Sequence, residues 1–362
     1  MNWVTLEYSK GQVDAAGRLL ATGEGSVEEQ NQALEVINNW RAAHSFPLNT
    51  IQVGLRRLAR GVDEHALIAQ RLKRVPSILQ KLRRFSHMKL SRMQDIGGCR
   101  AVVDSSAEVR KVRREYAKSR QQHEFIGEKD YIATPKDSGY RGVHLIYRYQ
   151  SDRTPTYTGR LIEIQLRSRL QHAWATAVET VGTFLQQSLK ASEGSDLWLR
   201  FFTVTSSAFA IVEGTPVAPG TPTDEGSLRA EVASLASQLQ VRKKLSAFGQ
   251  ALKIAEDTKM KSAQYFLLSL MPAQAHLAVY GYKKQELEQA TSHYLEIEKS
   301  QANTPGAQTV LVAVDSLSAL KRAYPNYFLD TEVFLMSLAK VIGRNGVSHK
   351  VVRANNRQAR TS

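Results

Sequence analysis

Cysteine is almost missing from the 362-residue chain: Cys99 stands alone. An internal disulfide framework and a cysteine-based zinc site are thereby excluded. No apolar run approaches the ~20 residues that span a bilayer, so no membrane partner is expected. The opening MNWVTLEYSKGQVDAAG lacks the basic-then-apolar order of a secretory signal, and no segment repeats. These absences lead to the expectation of a cytoplasmic protein, long enough for two domains with a large core. Acids are scarce in one window. Residues 51–100 hold twelve Lys and Arg against Asp63, Glu64 and Asp95, more than half of the chain's +15 excess. A solvated helix face normally mixes both signs, so this clustering points to a polyanion: nucleotide phosphates, nucleic acid or an acidic membrane.

The spacing of apolar residues predicts helices through the first ~90 residues: VEEQNQALEVINNWRAAHSFPL with Pro47 as its stop, IQVGLRRLARGV, and HALIAQRLKRVPSILQKLRRF interrupted at Pro76. CRAVVDS then reads as a strand, SAEVRKVRREYAKSRQQ as a helix, GVHLIYRYQ and RLIEIQLRS as a hairpin, and SRLQHAWATAVETVGTFLQQSL as a helix. EGTPVAPGTPTDEGS has the composition of a flexible connection. A long helix, SLRAEVASLASQLQVRKKLSAFGQALKIAED, precedes a second α/β unit with strands at AQYFLLSL, AHLAVYGY and AQTVLVAVD. The expected fold is α/β (α+β): a small mixed sheet flanked by helices over 1–212, a linker at 213–227, a smaller α/β domain over 228–345, and a basic mobile tail over 346–362.

Four pieces carry chemistry. RLKRVPSILQKLRR offers Arg71, Lys73, Ser77 and Lys81, the last two on one helix face if a helix starts at Pro76. QDIGGCRAVV sets Asp95 before a strand and Arg100 on it. EKDYIATPKDSGYRGVH crowds Lys136, Tyr140 and His144 around a Pro-Lys-Asp-Ser-Gly turn, either a polar hairpin or a platform for a phosphorylated base. RLIEIQLRS places Glu163 and Gln165 on the same side of a strand. Carboxylates at Asp95 and Glu163 suit a magnesium ion holding a nucleoside triphosphate, and the surrounding cations suit a transferred phosphoryl group. The alternative for Glu163 is a structural ion pair with Arg160 or Arg167.

From about Arg71 to Trp174 these motifs resemble the synthetase domain of RelA/SpoT homologues, in order and spacing: RLKRVPSILQK, DIGGCR, KDYIATPKDSGYRGVH and EIQLR. The resemblance implies transfer of the β,γ-diphosphate of ATP to a ribose 3′-hydroxyl, with AMP leaving. It implies ATP contacts at Arg71, Lys73, Ser77, Lys81 and Arg100, and Mg2+ on the catalytic carboxylates Asp95 and Glu163. Lys136, Tyr140, His144 and Gln165 would bind the acceptor, with Tyr140 stacked on its base.

The chain contains no His-Asp dipeptide, so the hydrolase half of the bifunctional relatives is not expected. GYRGVH and LQHAWATAVET look most like the toxic single-domain subgroup, some of which are fused to a neutralising domain. That likeness implies a growth-inhibiting toxin acting on the 3′ end of tRNA; an alarmone synthetase using GDP or GTP, and a non-catalytic RNA-binding module, are the alternatives. After residue 220 no catalytic constellation occurs. Tyr324, Tyr327 and Phe328 in AYPNYFLD either fill a local core or dock on the nucleotide site as an autoinhibitory contact, which an external protein, such as a phage component, would release.

Overall fold

The computed structural model describes residues 3–343 apart from 120–121, 189–194, 252, 257–262, 302–303, 305–306, 315, 326 and 329. Helices α1 (Lys10–Thr22) and α2 (Val27–Ala42) begin at capping boxes on Ser9 and Ser26, which satisfy backbone donors at each first turn. Pro47 does not stop a helix. It lies in the first turn of α3 (Ser45–Val62), where its missing N–H costs no hydrogen bond. The helix expected over HALIAQRLKRV is likewise corrected. Leu67–Leu72 is strand β1, paired on both sides, and six residues of LIAQRL are too few for apolar spacing to separate strand from helix. Helix α4 (Val75–Arg84) then starts with its proline in the first turn, as expected.

Next come β2 (Gly97–Val103), α5 (Ser106–Lys118), β3 (Glu124–Asp130), β4 (Val143–Arg148), β5 (Leu161–Ser168), α6 (Arg169–Ser188) and α7 (Ser195–Val212). The long helix expected after residue 226 breaks at Gln240, whose φ of 50° is left-handed, into α8 (Glu225–Gln238) and α9 (Val241–Ala251). The chain finishes with β6 (Lys253–Glu256), β7 (Tyr265–Met271), β8 (His276–Tyr282), α10 (Leu287–Ser300), β9 (Gln308–Ala313), α11 (Leu317–Ala323) and α12 (Glu332–Gly343).

All nine of these strands form one mixed sheet in the order β3-β4-β5-β2-β1-β9-β7-β8-β6. The two expected domains therefore share a sheet, joined where Gln70 and Arg71 of β1 pair with Ala313 and Val312 of β9. The expected linker folds back on α7: Ala218 N–H donates to Ser207 Oγ at 2.9 Å, Arg200 Nη1 donates to the Gly220 carbonyl at 2.7 Å, and α8 has begun by Glu225. The tail at 346–362 lies outside the described residues. Among the described residues no helix is long and apolar enough to cross a membrane.

One face of the first five strands packs on α3 and α5, with Ile51, Leu55, Val109 and Tyr116 against Cys99, Ala101, Ile164 and Leu166. Strand alternation sends Ala69, Arg71, Gly98, Arg100, Glu163, Gln165 and Arg167 to the opposite face. A separate aromatic core joins α6, α7, α8 and α12 through Trp174, Phe201, Phe202, Phe209 and Phe334.

Arg41, buried on α2, links the N-terminal helices to the C-terminal part. Its guanidinium donates to Glu298 Oε2 at 3.1 Å, to Tyr294 Oη, to Asn38 Oδ1 at 2.8 Å and to the Lys73 carbonyl at 2.8 Å. The other Glu298 oxygen accepts the Val75 N–H at 3.2 Å, at the start of α4. Removing one member of a buried ion pair strands the other, so Glu298→Ala is expected to cost about 3–5 kcal/mol. Denaturant unfolding checks this value, and a loss below about 1 kcal/mol would mean that solvent replaces the carboxylate.

Candidate active site

The polar face of the sheet floors a cavity of about 100 Å³, lined by Arg71, Lys73, Asp95, Gly98, Arg100, Glu163, Gln165, Arg167, Glu179 and Tyr324 among others. The Gly-Gly pair of DIGGCR serves two ends. A Cβ at Gly97 would lie 2.8 Å from Ile162 Cδ1 in the core, whereas at Gly98 nothing lies nearer than the Glu163 carbonyl at 4.0 Å. Gly97 permits packing, and Gly98 leaves the floor of the cavity open.

Asp95 sits just ahead of β2, and Lys73 Nζ and Lys81 Nζ each reach one of its oxygens at 2.9 Å. Burial pushes its carboxyl up, but the two ammonium groups outweigh that and hold it below the usual carboxylate range. Glu163 pairs with neither Arg160 nor Arg167. Its partners are His144 Nδ1 at 2.9 Å and Gln165 Nε2 at 2.7 Å. Burial raises the Glu163 carboxyl and the charge of Asp95 adds to that, yet the His144 bond leaves it below the usual range.

A relay runs from this carboxylate into the turn between β3 and β4. A carboxylate only accepts, so His144 Nδ1–H donates to Glu163; in a neutral imidazole Nε2 then accepts from Tyr140 Oη at 2.6 Å. Tyr140 Oη in turn accepts from Arg167 Nη2 at 2.9 Å. Lys136 Nζ stands 4.4 Å from the centre of the Tyr131 ring and 5.2 Å from that of Tyr140, within cation–π range of both.

Residues of the C-terminal part reach the cavity. The Ala323 carbonyl accepts from Arg100 Nη2, the Arg100 guanidinium lies 5.2 Å from the Tyr324 ring centre, and Tyr324 Oη donates to the Gln70 carbonyl at 3.1 Å. Arg100, deep in this contact, has its pKa lowered to about 10 by burial and by the charge of Arg167. Tyr324 and Tyr327 are also core residues, packed with Phe266, Val310 and Val312 of β7 and β9. The aromatic cluster thus fills a local core, and Tyr324 alone of its three rings also lines the cavity.

Residues 70–182 match the family described as "Region found in RelA / SpoT proteins". This stretch is similar to the RelA/SpoT domain, and the chain spans about three fifths of the curated relative that it matches. Among known proteins, 129 residues are 35% identical to the GTP pyrophosphokinase YjbM of Bacillus subtilis, covering 34% of this chain and 60% of that protein. The small alarmone synthetase 1 of Bacillus subtilis in complex with its product pppGpp is 27% identical, with a TM-score of 0.39 over 48% of this chain and 90% of the other. A GTP pyrophosphokinase family protein from Streptococcus pneumoniae is 20% identical, with a TM-score of 0.38 over 62% and 97% of the two chains.

Within and around the matched region, most of the residues singled out in the sequence converge. Arg71, Lys73, Asp95, Arg100, Glu163 and Gln165 line the cavity; Lys81 joins through Asp95, and His144, Tyr140 and Lys136 join through Glu163. Ser77 shares α4 with Lys81 but does not line the cavity. Sequence reasoning missed Arg167, Tyr131 and Glu179. Arg167 was detectable, because it continues the Glu163-Gln165 alternation by one more step. Tyr131 lay inside the quoted loop. Glu179 reaches the cavity only through the packing of α6, for which no local pattern exists.

Proposed function

We propose that the chain transfers the β,γ-diphosphate of ATP to a ribose 3′-hydroxyl, most consistently the 3′ end of tRNA, and that its C-terminal part holds it closed. The carrying observation is the pair of carboxylates Asp95 and Glu163 on one cavity surrounded by Arg71, Lys73, Arg100 and Arg167 within a region similar to the RelA/SpoT domain. In the reaction the 3′-oxygen attacks the β-phosphorus of ATP, the bond from that phosphorus to the α,β-bridging oxygen breaks, and AMP leaves with the bridging electron pair. Glu163 would be the group that takes the hydroxyl proton. Its lowered pKa makes it a weak base, so its charge matters first.

Asp95 and Glu163 are the oxygen donors a magnesium ion takes alongside substrate phosphates. No cluster of three His, Cys, Asp or Glu occurs among the described residues, which leaves the remaining ligands to triphosphate and water. Such an ion would neutralise charge on the transferred group. The cations of β1, β2 and β5 would orient the phosphates, and the Tyr140 ring would take the acceptor base.

Tyr140→Ala is expected to raise the acceptor KM about 5- to 150-fold, the equivalent of a base stack of roughly 1–3 kcal/mol, with the ATP KM little changed. Tyr140→Phe, which keeps the ring, should retain most acceptor affinity. An effect of the alanine on ATP instead would remove this loop from the acceptor.

The tRNA reading is supported by exposed cations beyond the cavity: Arg83, Arg84, Lys89 and Arg92 follow Lys81 around the end of α4. A free nucleotide needs few cations, whereas a nucleic-acid stem rewards an extended positive surface. Similarity to a GTP pyrophosphokinase of Bacillus subtilis favours GDP or GTP as the second reading. Incubation with γ-labelled ATP and either tRNA or guanine nucleotides separates them. Label on tRNA supports the first, label on guanine nucleotides alone replaces it with the second, and label on neither, from protein freed of its closure, leaves a binding module.

The small volume of the cavity supports the closed reading. A cavity of about 100 Å³ is well below the ~300–1,000 Å³ of ordinary small-molecule sites. Ala323 and Tyr324 engage the Arg100 side chain, which on this reading would otherwise meet phosphate. Release, by an external protein for example, would then unmask a growth-inhibiting activity, because a blocked tRNA 3′ end cannot be charged.

A further inference from the structure

Helix α7 lies beyond the matched RelA/SpoT region, yet the turn between β3 and β4 rests on it. Gly139 has a φ of +82°, and a Cβ added there would stand 2.9 Å from Ser206 Cβ and 3.1 Å from Thr203 Cα. Only a glycine lets the turn approach the helix this closely. Ser206 is 2% exposed. Its hydroxyl donates to the Gly139 carbonyl and accepts from Arg141 Nε at 3.0 Å. A hydroxyl has one proton to give, so the two bonds together fix both its rotor and the turn above it. Thr203 adds a long contact to the Asp137 carbonyl at 3.4 Å.

Helix α7 is itself anchored at two points. Glu213, just past α7, accepts from Ser106 Oγ at 2.8 Å and from Gln171 Nε2 at 2.9 Å. The Phe202 carbonyl accepts from Trp174 Nε1 at 2.8 Å. On its far side α7 meets α12, where Phe209 and Phe334 lie edge to face at 5.9 Å. The turn therefore rests on a helix outside the matched RelA/SpoT region.

We infer that α7 is the template for the acceptor-binding turn and that Ser206 is a positioning residue for acceptor recognition. Ser206 acts through Gly139 and Arg141 on Tyr140, which lies between them in sequence and reaches Glu163 by way of His144. This inference rests on the proposed role of the turn in acceptor binding.

The test uses the full chain carrying Ser206→Ala, which leaves the Gly139 carbonyl and Arg141 Nε without partners, and separately Gly139→Ala, which applies a steric insult from the other side. Hydrogen exchange needs no substrate. Losing two hydrogen bonds is expected to quicken exchange of the amides of residues 136–144 by roughly 10-fold, with α4 and β5 unchanged. With the acceptor that takes label, tRNA or GDP, KM should rise about 5- to 10-fold while the ATP KM holds. Unchanged turn amides in both variants, or faster exchange spread evenly over the protein, would overturn the template role. A loosened turn with a raised ATP KM would keep that role and overturn the assignment of the turn to the acceptor. Should one variant fail to unfold cooperatively, the other decides.

Discussion

Glu163→Gln is expected to lower diphosphate transfer by about 10²-fold or more, the loss typical of a metal ligand or general base, while the protein still folds. Glutamine preserves the length of the side chain and an oxygen for His144 Nδ1–H. It removes the negative charge on which the site's division into carboxylates and cations depends. Quantifying turnover of labelled ATP beside the unfolding midpoint separates the two effects. Turnover close to wild type would make Glu163 an anchor for His144 and nothing more. Acid should act in the same direction. Both Asp95 and Glu163 have folded pKa values below their unfolded ones, so the stability they contribute is complete above the ordinary carboxylate range. It is lost as pH falls through the lowered folded values. Activity should fail over the same acidic interval.

Tyr324→Ala is expected to raise turnover of ATP while lowering the melting temperature. If the segment restrains the site, the ring's contact with the Arg100 guanidinium and the hydroxyl's bond to the Gln70 carbonyl would together hold it shut by about 2 kcal/mol. Their loss would shift the ratio of open to closed protein by roughly 30-fold. Tyr324 is also buried among β7 and β9 side chains, so several kcal/mol of stability go with it. Circular dichroism must therefore show a folded variant before its rate is read. A folded variant with unchanged turnover would dismiss the closure. Truncation near Thr221 is a poorer test, because it strips β9 from β1 and leaves Phe201, Phe202 and Phe209 without α8 and α12. Its inactivity would report unfolding as readily as a role for the C-terminal part.

Several elements were legible locally. Glu163 and Gln165 share a side because strand side chains alternate, and Gln165 does donate to Glu163. The turn after Asp130 was recognisable from its glycines and rings, and Lys136 does lie over Tyr131 and Tyr140. Leu67–Leu72 was misread because a six-residue run bordered by helical sequence carries too little periodicity, and its pairing partners lie 25–35 and more than 240 residues away. Helix α7 was passed over, since SDLWLRFFTVTSSAFAIV is apolar on most sides and shows no clear stripe.

Composition, alternation and motif order were enough to point to the kind of chemistry: two carboxylates among cations, and a ring-bearing turn. Those features follow from residue type and from short-range geometry, which the chain carries in every window. Tertiary structure alone decided that the two halves share one sheet, that Tyr324 lies on Arg100, that Glu298 holds Arg41 and the start of α4, and that Ser206 supports Gly139. Each of these joins residues 65 or more positions apart, and no local preference specifies such a contact. It forms only when burial of the intervening cores brings the elements together and makes an unpartnered polar group costly.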